Sequence, residues 1–283
     1  METDTASYRP PVDKLLTYGD GREVGRNLKD WSEYLELGIG PEHIPDLIRM
    51  TTDAELRWAN SDSLEVWAPI HAWRALGQLR AEAAIEPLLS LFEEAEDDDW
   101  VMEELPEVYG MIGPAAIPAI TAYIADESHP EWPRIIAMSS LEKIGTMHPD
   151  ARDECITALT RELGLFDEND PEFNAWIIHD LVELKATEAL PIIKRAFAAD
   201  CVDESIEGDW DEVQVLLGLK SREEVPQRRF QPPLGIGLQA ATREELVPSQ
   251  PAPLKTFHKH EPAHKKAKNK MAKQSRKKNR RRK

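Results

Sequence analysis

The chain is 283 residues long, 41% hydrophobic and 31% charged, with a mean hydropathy of −0.51. That composition suits a folded body large enough to bury a sizeable core, and it excludes collagen, a membrane bundle and a wholly disordered chain. The net charge of −17 hides two opposed parts: from Lys255 onward the chain carries +13, and the remainder carries −30. Such asymmetry between an acidic body and a basic end is the sequence sign of an interaction appendage.

The opening METDTASYRPP lacks the basic-then-apolar pattern of a secretory signal, and residues 1–26 read as an N-terminal extension. The most apolar stretch, Ile112 to Ala125, is interrupted by Pro114 and Pro118, so no membrane span is expected. Cys155 and Cys201 lie in separate segments, which indicates no disulfide framework and fits a reducing, cytoplasmic setting.

From residue 27 the chain repeats itself. Ile39-Gly40-Pro41-Glu42-His43-Ile44-Pro45-Asp46-Leu47 and Ile112-Gly113-Pro114-Ala115-Ala116-Ile117-Pro118-Ala119-Ile120 share one pattern, I-G-P-x-x-I-P-x-[LI]. Glycine ends one helix in a left-handed cap, and proline is tolerated in the first turn of the next. Looser copies run from Leu76-Gly77-Gln78-Leu79 into Ala83–Leu89, and from Leu184-Lys185-Ala186 into Glu188–Ile193. Trp67, Trp100 and Trp132 stand 33 and 32 residues apart, each followed nine and twelve residues later by an apolar pair on nearly the same helix face. The units are therefore helix, glycine-marked turn and helix, at about 27–58, 63–97, 98–128, 129–165 and 171–200, with a further helix over Asp209–Leu219.

This pattern resembles the HEAT-repeat family, in particular its phycobilisome-lyase HEAT-like repeats. The resemblance is carried best by Ala75-Leu76-Gly77-Gln78-Leu79 leading into Glu82-Ala83-Ala84-Ile85-Glu86-Pro87-Leu88. It implies an all-α, right-handed α-α superhelix of about five repeats over 27–220. Repeats without catalytic strings, together with the charge split, point to a non-enzymatic scaffold for a protein partner; the resemblance itself implies the alternative, a phycobilin lyase-like or chromophore-chaperone protein. HEAT-like DNA glycosylases need a basic concave face, which a body of −30 does not offer.

Residues 221–264 are rich in proline and poor in aromatics, which predicts a flexible linker. Within it His260-Glu261-Pro262-Ala263-His264 matches the H-E-x-x-H zinc-protease string. Pro262 opposes the helix that string requires, no downstream acid supplies a third ligand, and neighbouring lysines repel a dication. No G-x-S-x-G or Walker A sequence occurs. Cys155 sits among acids that raise a thiol pKa, and His71 and His179 read as satisfied groups at helix contacts. No catalytic residue, metal site or cofactor is expected, and the protein is expected to be a monomer.

Two features remain. Acids gather at the junctions between units, and stacked repeats bring equivalent junctions to one edge. Asp97, Asp98 and Asp99, then Asp167, Glu168 and Asp170, then Asp209 and Asp211 are the candidate partner-binding edge; the alternative is solvated loops and acids complementing helix N-termini. The last nineteen residues form a disordered polybasic tail: Lys265, Lys266, Lys268, Lys270, Lys273, Arg276, Lys277, Lys278, Arg280, Arg281, Arg282 and Lys283. Such an array binds phosphate backbones by counterion release, which points to RNA, DNA or ribosome contact. Nuclear targeting, an anionic membrane and the chain's own acidic edge are the other destinations. The tryptophans at the unit starts, Trp31, Trp67, Trp100, Trp132 and Trp176, are expected to pack between neighbouring repeats rather than to form an exposed row. Trp58, Trp73 and Trp210 fall outside that register.

Overall fold

A computed structural model describes residues 8–23, 28–94 and 98–225. Every regular element among them is helical: α1 (Ile44–Thr51), α2 (Ala54–Arg57), α3 (Ala68–Gln78), α4 (Ile85–Leu89), α5 (Asp99–Ile112), α6 (Ile117–Ala125), α7 (Glu131–Met147), α8 (Arg152–Leu163), α9 (Pro171–Glu183), α10 (Leu190–Ala198), α11 (Glu204–Glu207) and α12 (Trp210–Leu216). The 3-10 turn Tyr34–Leu37 and α1 make the first pair; α3 and α4, α5 and α6, α7 and α8, and α9 and α10 make four more. These pairs fall on the five units read from the sequence. A 3-10 turn opens each second helix, at Pro41–His43, Glu82–Ala84, Pro114–Ala116, Pro149–Ala151 and Thr187–Ala189.

The pairs stack in chain order. First helices pack α3 on α5, α5 on α7 and α7 on α9, while second helices pack α4 on α6, α6 on α8 and α8 on α10. The protein is an all-α solenoid in which each unit buries its apolar stripe against its neighbours. In α5 the stripe is Val101, Leu105, Val108 and Ile112; in α9 it is Phe173, Ile177, Ile178 and Leu181, all buried. Burying each such side chain contributes about 2 kcal/mol. Tyr8, Val12 and Leu15, ahead of the repeats, are buried in the same core.

Glycine does two different jobs in this stack. Gly113 ends α5 at φ +95°, ψ −159°, a conformation open essentially to glycine alone. Gly77 and Gly110, by contrast, lie inside α3 and α5. A Cβ there would stand 3.0 Å from Met111 Sδ and 2.8 Å from Met147 Sδ, so these glycines let the next helix approach. The expectation that glycine marks each turn is thus corrected at the first two units. Gly40 is extended (φ −136°), and Gly38 (φ +89°) takes the left-handed position instead. In the second unit Arg80 (φ +50°) takes it, with Arg80 N–H donating to Gly77 O at 2.9 Å and Ala81 N–H to Leu76 O at 3.1 Å.

Trp67 and Trp100 meet edge to face at 5.5 Å between centroids, and Trp132 and Trp176 meet at 6.1 Å, so both pairs bridge successive units. Trp31 is buried against Arg74. Trp73 is buried in the core, Trp210 packs on Phe197, and Trp58 is exposed.

Candidate partner-binding surface

The junction acids begin as helix caps. Asp98, Asp170 and Asp209 each precede a helix and accept its free backbone N–H groups, from Trp100 at 3.0 Å, Glu172 at 2.9 Å and Glu212 at 3.0 Å. A carboxylate there answers the positive end of the helix dipole and contributes roughly 0.3–1 kcal/mol. Asp98 also holds the Arg57 guanidinium at 3.1 Å, and Asp211 holds Lys220 at 2.7 Å. Asp99 opens α5. Asp167 and Glu168 are exposed on the turn between α8 and α9. Asp97 and the cations of 265–283 lie outside the described residues.

Two of the junctions converge. Glu127, from the turn after α6, and Glu168 and Asp170, from the turn before α9, line one recess of about 310 Å³ together with Glu131, Arg134, Asn169 and Phe173. Glu131, in the first turn of α7, has its carboxyl pKa raised by partial burial and then by Asp170 and Glu172. Arg134 offsets this only in part. Its Nη2 pairs with Glu162 Oε1 at 2.6 Å, its Nε donates to Ile124 O at 2.7 Å, and it lies over the Phe173 ring at 4.5 Å. The recess therefore presents four carboxylates around an arginine committed elsewhere, a setting that attracts cationic side chains. Trp132, which follows Glu131, leaves 40% of its surface open. Asp98, Asp99, Asp209 and Asp211 are not part of this recess. Glu131 and Arg134 carried no signal of their own in the sequence, because their role depends on the stacking of α7 against α9.

Other titratable groups are closed off. His71 donates from Nε2 to Gly19 O at 3.0 Å, so its Nδ1 accepts from Tyr34 Oη at 2.8 Å; burial lowers its pKa to about 4 and keeps it neutral. Burial, with Glu154 second, raises the Cys155 thiol to about 12, which removes it as a nucleophile at neutral pH. His179 hydrogen-bonds Glu207, which raises its pKa. Among the described residues no group of three or more His, Cys, Asp and Glu is arranged to hold a metal ion, and no single helix is long and apolar enough to cross a membrane. The H-E-x-x-H string lies outside the described residues.

The chain matches no curated protein and no solved structure. Residues 71–94, which cover most of α3, the turn through Arg80 and all of α4, match the family model described as PBS lyase HEAT-like repeat, so this unit of the solenoid is similar to a HEAT-like repeat.

Proposed function

We propose that the chain is a non-enzymatic HEAT-like scaffold over 27–220 that binds a protein partner, followed by a linker over 221–264 and a tail over 265–283 that contacts nucleic acid or the ribosome. The scaffold works as a cytoplasmic monomer. The observation that carries the partner reading is the recess of Glu127, Glu131, Glu168 and Asp170, where neighbouring units pool four carboxylates around Arg134, whose own ion pair is with Glu162. Its partner presents lysine or arginine side chains.

The test compares affinity capture by the full-length protein and by a Glu127→Lys/Glu168→Lys variant, both positions being exposed. A protein retained by the first and lost by the second supports the reading. Equal capture by both, alongside a measurable turnover, sinks it. For the tail, labelled RNA and duplex DNA are titrated across a salt series against the full-length protein and a variant with Gln at the tail cations. Binding that falls steeply with salt and vanishes in the variant is the expected result.

The family match over 71–94 favours one second reading, a phycobilin lyase-like or chromophore-chaperone role. Co-expression with a bilin and an apo-phycobiliprotein decides it, since a coloured adduct appears only if that reading holds.

A further inference from the structure

The first helices have a second, chemically opposite edge. The acidic recess lies at their N-terminal ends, where α7 and α9 begin. At their C-terminal ends, where α3, α5 and α7 finish, an open groove of about 440 Å³ runs beneath the 28–37 segment. Its apolar wall is built from Trp31, Leu35, Met111 and Met147, and Leu35 leaves 39% of its surface open to solvent. Methionine walls adjust to the shape of an inserted side chain at little cost, which suits a peptide better than a fixed small-molecule cavity does.

The rim carries Lys29 and Arg80, both exposed. With 52 acidic against 35 basic residues in the whole chain and most of the bases beyond the repeats needed for the tail, carboxylates are in large excess around the solenoid. Arg49, Arg57, Arg74, Arg134, Arg152 and Lys220 sit in ion pairs, whereas Lys14, Arg161, Lys185 and Lys194 make none among the described residues, and of the unpaired cations Lys29 and Arg80 are the two that line the groove. Lys29 and Arg80 have no carboxylate within ion-pair distance among the described residues, although Glu33 lines the same groove. Where acids are abundant, two unpaired cations beside an open apolar wall are complementary to an anionic ligand with an apolar face.

We infer that this groove docks an acidic segment of a partner protein, one that places bulky apolar side chains on the Met111 and Met147 wall and carboxylates against Lys29 and Arg80. This goes beyond the proposed function. It assigns a second surface and a partner of the opposite charge, and it does not depend on the acidic recess.

The experiment pans a displayed library of random twelve-residue peptides on the full-length protein. Counter-selection uses a Lys29→Glu/Leu35→Asp/Arg80→Glu variant, and a single Arg80→Glu variant serves as a second probe should the triple change disturb folding. Peptides recovered in this way are then titrated into both forms by calorimetry. The expected pool combines Asp or Glu with Leu, Ile, Phe or Met. Its affinity falls at least tenfold on the triple variant and severalfold on Arg80→Glu, and replacing the peptide's apolar residues with Ser abolishes binding. Three outcomes overturn the inference: no peptide is enriched, the pool is rich in Lys and Arg, or acidic peptides bind the variants as tightly as the original protein. In the last case charge alone holds them, on the basic tail. Loss of the recess partner in the Glu127→Lys/Glu168→Lys variant leaves this result untouched, so the two readings fail separately.

Discussion

The Arg74 guanidinium donates from Nε to Glu104 Oε2 at 2.8 Å and from Nη2 to Oε1 at 2.5 Å, and neither side chain reaches solvent. This ion pair joins α3 to α5. Trp73 Nε1 adds a third bond to Glu104 at 2.9 Å, and Arg74 Nη1 reaches Tyr34 Oη at 3.5 Å. From Tyr34 the chain of donors continues to His71 and ends on Gly19 O, so one buried polar network ties the N-terminal segment to two repeats. Burial works against the charge on Arg74, and the hydrogen bond and charge of Glu104 outweigh it, leaving the guanidinium pKa above its usual value.

Removing one partner of this pair leaves a buried charge without compensation, which costs about 3–5 kcal/mol. Glu104→Gln is therefore expected to destabilise the protein by that amount, measured as a drop in the urea midpoint. The double change Arg74→Met/Glu104→Leu removes both charges and is expected to recover most of the loss. A Glu104→Gln protein as stable as the original would show that the pair adds nothing to the fold.

Asp180, fully buried in α9, works in the opposite direction. Its Oδ1 receives only a long bond from Ser139 Oγ at 3.4 Å, and its Oδ2 meets no donor among the described residues. Burial first, and the nearby Glu142 next, raise its pKa from 3.8 to about 8, while His179 and Lys143 pull it down. The folded protein thus keeps a proton that the unfolded chain releases near pH 4. The contribution of this group to stability is full below pH 4 and falls as the pH rises toward 8. Asp180→Asn carries no such penalty. It is expected to flatten the stability profile between pH 4 and 8 and to raise stability at pH 8 by on the order of 2–5 kcal/mol. Urea midpoints taken across that range test this, and a slope unchanged by the substitution refutes it.

These buried charges mark the limit of what the sequence reveals. The period of the repeats was legible because apolar stripes recur at helical spacing, and because the string I-G-P demands a particular backbone at Gly113. The same string at Gly40 misleads, since Gly38 absorbs the left-handed turn and leaves Gly40 extended. Lys185 (φ +55°) ends α9 as Arg80 ends α3, with Ala186 N–H donating to Leu181 O at 2.9 Å. The capping bonds stabilise a conformation that the side chain alone disfavours, so no glycine announces the turn. Arg74 and Glu104 lie thirty residues apart, and nothing local distinguishes them from surface charges. The candidate recess was half legible: the acids of 167–170 stand out as a run, but their meeting with Glu127 and Glu131 is a product of stacking.

Gly113 gives the sharpest test of the turn itself. Its backbone lies in a region that side-chain-bearing residues essentially do not enter, and a Cβ would stand 2.9 Å from His148 Nε2. His148 is not free to withdraw, because the same nitrogen bonds Gly110 O at 2.9 Å. Strain and displacement add, so Gly113→Ala is expected to cost at least about 1–3 kcal/mol. A Gly40→Ala substitution makes the matched control. Gly40 occupies an extended backbone, and the nearest obstacle to a Cβ is the flexible Glu42 carboxylate at 2.7 Å. Thermal melts of the two variants should separate clearly, with Gly113→Ala much the less stable although both glycines occupy the same place in the same string. Equal losses would mean that the string, and not the backbone it adopts, sets the need for glycine.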